Sequence, residues 1–65
     1  MKVNVIVTKE REFSWDISVW DTNNGSLIKR AWAMNRDQAI GKADLLADFY
    51  RDDNGQRTTI IINKN

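Results

Sequence analysis

Asp44 and Asp48 stand four residues apart in a stretch of helical periodicity, a spacing that puts two carboxylates on one face where a divalent ion could bridge them. A metal site needs more ligands than that. The chain has no histidine and no cysteine, and no third carboxylate converges on the pair, so the two aspartates read as a solvated helix face, and no metal or other cofactor is expected. Asp52-Asp53-Asn54-Gly55 matches the middle of a calcium-binding loop. With Gly55 at the sixth loop position, however, Tyr50 falls on the first and Ile61 on the twelfth, where the loop requires Asp and Glu. Nucleophilic catalysis has equally little to work with. Ser14, Ser18 and Ser26 sit in no glycine-rich elbow, and a chain of this size has little room for a concave site. No catalytic residue is assigned, and a non-enzymatic protein is expected.

What the chain does offer is aromatic surface. Trp20 closes a run in which Phe13, Trp15, Ile17 and Val19 alternate with Ser14, Asp16 and Ser18, and it falls on the polar side of that alternation. An indole among small polar side chains is the composition of a binding hot spot. The expected contact surface is therefore Trp20 with Lys2, Asn4, Ile6, Lys29 and Arg30. Two other uses of the same face stand beside it. Trp20 could fold over Ile6 and Leu27 as a small second cluster, or it could stack on an unpaired base of single-stranded nucleic acid.

Charge bears on that choice. Ten Lys and Arg against nine Asp and Glu give a net charge of +1 with the signs interspersed. A duplex binder shows a basic stripe and a DNA mimic shows the reverse; this sequence shows neither. With 65 residues, one domain spanning 1–65 is expected, with marginal stability, because a short chain buries a small fraction of its surface. The longest apolar run, around Ile60-Ile61-Ile62, is far short of the roughly 20 residues that span a bilayer. With no such span, and with Met1 leading into a strand pattern and not into a basic start followed by a long apolar stretch, a soluble, cytoplasmic protein is expected, and the absence of cysteine fits a reducing compartment.

The elements that must position these residues follow from periodicity. Met1 to Thr8 alternates with Val3, Val5 and Val7 on one face, the pattern of a half-buried strand. Lys9-Glu10-Arg11-Glu12 reads as a solvated loop leading to a second strand from Phe13, with Val7 opposite Phe13, Val5 opposite Trp15 and Val3 opposite Ile17. Thr22-Asn23-Asn24-Gly25 then turns the chain into a third strand, from Ser26 to about Met34. Two closures compete. A two-residue Asn24-Gly25 turn places Ile17 opposite Trp32 and buries that tryptophan; a three-residue loop beginning at Asn23 places Ile17 opposite Ala31 and turns Ile28, Arg30, Trp32 and Met34 outward beside Trp20. The two-residue turn is favoured, because an alanine-rich helix needs a sheet that supplies bulk.

That helix begins at Asn35, which caps with Gln38 three residues on, and carries Ala39, Ala43, Leu46, Ala47 and Tyr50 on one stripe flanked by Ile40 and Phe49. It is expected to end near Arg51 to Asp53, with Asn54-Gly55 as its left-handed stop. Thr58 to Asn63 reads as a fourth strand beside either the first or the third. The fold class is α+β: an antiparallel three-stranded sheet, one helix packed on one face, and a fourth C-terminal strand.

This β-β-β-α-β order, with the polar-capped helix from Asn35 through Phe49-Tyr50, the Asn-Gly stop and the β-branched last strand, resembles the HicB-type antitoxin domain, the short RNA polymerase inhibitor of podophages and some phage anti-CRISPR proteins. It differs from HicB in its three tryptophans and in lacking a DNA-binding extension. The resemblance implies a phage or mobile-element protein that inhibits a larger host complex of defence or transcription by occupying its surface. The expected partner is thus a larger host protein, the alternative a single-stranded nucleic acid, with no membrane contact. A homodimer through the open sheet face or the edge of the fourth strand is a further expectation.

Overall fold

The computed structural model describes residues 2–63. Met1, where the first strand was expected to start, lies outside the described residues. Four strands form one sheet: β1 (Val3–Arg11), β2 (Ser14–Asp21), β3 (Leu27–Ala33) and β4 (Thr59–Asn63), with α1 (Arg36–Phe49) between β3 and β4. The spatial order is β3-β2-β1-β4. β1, β2 and β3 form the antiparallel meander, and β4 lies parallel to β1. Of the two places open to the fourth strand, it takes the one beside β1, so the connection through α1 carries the chain from one sheet edge to the other.

Alternation sets which face is covered. Val3, Val5 and Val7 of β1 and Trp15, Ile17 and Val19 of β2 are buried beneath α1, which contributes Ala39, Ala43 and Ala47. The bulk sits on the two central strands, and the fully buried stripe of the helix meets it with alanine methyl groups, which lets the backbone approach closely. Ala31, Leu46, Tyr50 and Ile60 pack around that core.

The β1–β2 pairing keeps the expected faces but not the expected partners. Val7 stands opposite Ile17 and Val5 opposite Val19, four residues further along β2 than the alternation suggested. An even slip leaves every side chain on its own face. The cause is the length of β1: Lys9, Glu10 and Arg11 are strand and not loop, with the register shifting between Lys9 and Arg11. The reversal falls at Glu12-Phe13, so Phe13 is a turn residue, 68% exposed, and does not pair with Val7.

The β2–β3 pairing corrects the favoured hairpin. Ile17 stands opposite Ala31 and Trp15 opposite Ala33, the register of the outward-facing alternative. The loop is longer than either closure anticipated. Thr22 to Gly25 all lie outside the ladder, the Gly25 amide donates to the Asp21 carbonyl at 2.9 Å, and the Asp21 amide donates to the Ser26 carbonyl at 2.9 Å. Asp21 and Asn24 each accept from a backbone amide two residues on, Asn23 and Ser26 respectively, and Gly25 takes φ +72°, the left-handed conformation that a β-carbon disfavours. An irregularity between Val19 and Trp20, where Trp20 meets Leu27, absorbs the extra residue before the regular register begins.

Asn35 caps α1 as its sequence predicts: the Gln38 amide donates to Asn35 Oδ1 at 2.8 Å, and the Met34 amide donates to Gln38 Oε1 at 3.4 Å. The other end differs. The helix stops at Phe49 with Tyr50 as its C-cap, before Arg51. Gly55 does adopt a left-handed φ of +78°, but within a separate turn in which Asp52 Oδ1 accepts the amides of Asn54 and Gln56. The Thr58 hydroxyl donates to the Tyr50 carbonyl at 2.6 Å and its amide to the Ala47 carbonyl at 3.3 Å, so the helix end is tied directly to the start of β4.

Candidate functional site: the uncovered face of the sheet

The pairings place three cross-strand rows on the face opposite α1. They are Thr59–Asn4–Trp20–Leu27, Ile61–Ile6–Ser18–Arg30 and Asn63–Thr8–Asp16–Trp32. Trp20 and Trp32 therefore sit on neighbouring strands two rows apart, about 13 Å along the strand direction at the usual rise per residue.

Both indoles are fixed by local hydrogen bonds. The Trp20 N–H donates to Ser18 Oγ at 2.9 Å, laying the ring along β2 over Ser18, which is buried on this otherwise uncovered face. Ser18 passes the interaction on, its hydroxyl donating to the Ile6 carbonyl at 3.5 Å. Across the sheet, the Trp32 N–H donates to Ser14 Oγ at 3.0 Å, yet the residue remains 56% exposed. With each N–H satisfied inside the chain, both indoles are held in place with the apolar ring as the surface they present. Arg30 stands between them in the middle row and its Nε donates to Asp16 Oδ1 at 2.8 Å. That pair neutralises most of the charge at the centre of the face.

Of the residues expected at the contact, Trp20, Asn4, Ile6 and Arg30 come together. Asn4 is the direct cross-strand neighbour of Trp20. Lys2 is exposed just before β1, where its carbonyl accepts both the amide and the hydroxyl of Thr22. Lys29 does not belong with them. It pairs with Val19, so it projects from the helix side of the sheet, a correction that follows from the hairpin register. Trp32 and Ile61 join the face instead, and Ile28 and Met34, both exposed, lie at its β3 margin. A signal for this was present in the sequence: the favoured register would have put Arg30 against Val19, whereas the observed one gives Arg30 the carboxylate of Asp16 and sets Ala31 and Ala33 on the covered side.

The other candidate chemistry resolves into structure. Asp44 and Asp48 are both engaged by Arg57, whose Nη2 lies 2.8 Å from Asp44 Oδ1 and whose Nε lies 2.8 Å from Asp48 Oδ1; Arg51 adds a contact to Asp48 at 3.1 Å. The hydrogen bond that Arg57 donates to Asp44 and the charge of Asp48 raise the Arg57 pKa above its ordinary value. A cation with a raised folded pKa contributes stability below its unfolded pKa and loses it only as pH rises through the folded one, here far above neutrality, so the titration of Arg57 adds no pH dependence near pH 7. It clamps the 50–58 segment onto α1.

Shallow hollows flank the sheet: one of about 420 Å³ lies between Lys2, Thr22, Asp52 and Arg57, and a more open one of about 460 Å³ lies beside Asp16, Arg30 and Trp32. Among the described residues, no group of three or more acidic residues is arranged to hold a metal, and no helix is long and apolar enough to cross a membrane. Comparison with protein families, curated proteins and solved structures finds no match to this chain.

Proposed function

We propose that this chain is a non-enzymatic protein-binding module that occupies the surface of a larger partner through the uncovered face of its sheet, the mode of action implied by the phage-type inhibitors its plan resembles. One observation carries the reading: Trp20 and Trp32 stand on a single face, pre-oriented by Ser18 and Ser14, around a charge-paired Arg30–Asp16 centre. Aromatic anchors surrounded by satisfied polar groups form the centre-and-rim composition of protein interfaces. Apolar side chains from three other positions, Ile6, Ile61 and Leu27, extend the patch across all four strands. Capture of a partner from the cells that make this chain tests the reading: Trp20→Ala should keep the fold and weaken binding by at least ~2 kcal/mol.

A second reading is favoured by one feature, the two indoles held along the sheet, which could stack on bases of single-stranded RNA or DNA. The charge of the face weighs against it, since Arg30 is paired with Asp16 and Lys29 lies on the other side. Tryptophan fluorescence titrations with single-stranded RNA and DNA at two salt concentrations separate the readings. Quenching that weakens steeply with salt supports nucleic acid; its absence favours a protein partner.

A further inference from the structure

The two edges of the sheet are not alike. β3 carries Lys29 and Arg30, an irregular register near its start, and a Trp32 carbonyl that accepts from Lys42 Nζ at 2.6 Å, all features that discourage another strand from adding there. β4 has none of these. Thr59-Ile60-Ile61-Ile62-Asn63 has no charge and no proline, it pairs with β1 in unbroken register, and no strand among the described residues lies on its far side. Arg57, two residues before the strand, is paired within its own chain with Asp44 and Asp48, so it brings no uncompensated charge to this edge.

We propose that β4 pairs antiparallel with β4 of a second copy across a two-fold axis at Ile61, joining two four-stranded sheets into one of eight. The sequence of the strand is self-complementary about that axis. Ile61 meets Ile61, Ile60 meets Ile62, and Thr59 meets Asn63, so apolar faces apolar, polar faces polar, and no like charges oppose each other. The faces agree as well. Ile60 and Ile62 lie beside Val5 and Val7 on the helix side, whereas Ile61 lies beside Ile6 on the uncovered side. Ile60 already packs at the edge of the core, and the two-fold sets the second copy's Ile62 against it, continuing the core across the junction. Ile61 and Ile62, which are 37% and 38% exposed in the single chain, are the side chains covered. One five-residue strand makes a small interface, below the roughly 1,200 Å² of stable specific complexes, so the dimer forms and dissociates with concentration.

Sedimentation of the 65-residue chain over a concentration series should show a monomer–dimer equilibrium. Ile61→Lys, which sets two ammonium groups directly opposite each other, should weaken it about tenfold or more while circular dichroism shows an unchanged fold. Because the chain lacks cysteine, Ile61→Cys provides a second test that does not depend on tolerance of a charge. Residues directly opposite across an antiparallel pair have Cα atoms about 4.5–5.5 Å apart, within disulfide reach, so mild oxidation should give a covalent dimer much faster than with Gly41→Cys on the exposed side of α1. Trp20→Ala should leave the equilibrium unchanged, which separates this inference from the function proposed above. A monomer at every concentration, a dimer insensitive to Ile61→Lys, or cross-linking of Ile61→Cys no faster than of Gly41→Cys would overturn it.

Discussion

The indole of Trp32 reaches back across β2 to donate to the Ser14 hydroxyl at 3.0 Å, although Trp32 stands opposite Asp16. This diagonal contact holds a large apolar side chain against the uncovered sheet while leaving more than half of it in water. Trp15, one residue from both Ser14 and Asp16 in sequence, is only 6% exposed, because it points to the other face.

The three tryptophans should therefore respond differently to a soluble quencher. Acrylamide should reach Trp32 first, Trp20 less and Trp15 least. Trp32→Phe should remove the most accessible emission and shift the remainder to the blue, with a change in stability within about 1 kcal/mol, as for other exposed positions. A red shift of the remaining emission, with a larger quencher-accessible fraction, would place Trp32 in the core and contradict the hairpin register.

Much of this arrangement was legible in the sequence. The alternation of Val3, Val5 and Val7, the Asn35 cap and the stripe of Ala39, Ala43 and Ala47 each depend on local periodicity or a local hydrogen bond, and each is where the pattern put it. What was not legible depended on loop length. A difference of one residue in the Thr22–Gly25 loop reverses every side chain of β3, and both Asn and Gly there suit several closures. The alanine helix was right in asking for a bulky sheet, but the bulk comes from β1 and β2, leaving Ala31 and Ala33 to pass beneath its margin. The same slip moved Lys29 off the candidate face and brought Trp32 onto it.

Close approach of α1 makes its alanines intolerant of growth. Ala43 is fully buried at the centre of the helix stripe, facing a core that includes Ile17 and Val5. Ala43→Leu should push the helix away from the sheet and cost about 1–3 kcal/mol in urea unfolding. An unchanged or raised unfolding midpoint would mean that the interface has slack.

Two glycines should respond to the same substitution with opposite signs. Gly25 has a positive φ in the β2–β3 loop, with open space where a β-carbon would point, so Gly25→Ala should destabilise by about 1 kcal/mol through the backbone alone. Gly41 lies in an exposed turn of α1, also with open space and with no such restriction, so Gly41→Ala should stabilise by up to about 1 kcal/mol. Thermal or denaturant unfolding of the two variants reads both signs, and a stabilising Gly25→Ala would contradict the loop conformation.

Whether the sheet face opposite α1 binds a protein partner, as proposed above, is decided by comparing two double variants as capture baits. Trp20→Ala/Trp32→Ala removes both anchors from that face, whereas Leu45→Ala/Phe49→Ala removes the exposed apolar pair on the outer side of α1. With folding of both confirmed by circular dichroism, the tryptophan variant should lose the partner that the wild-type chain captures, and the helix variant should retain it. Retention by the tryptophan variant with loss by the helix variant would place the contact on the outer side of α1 instead.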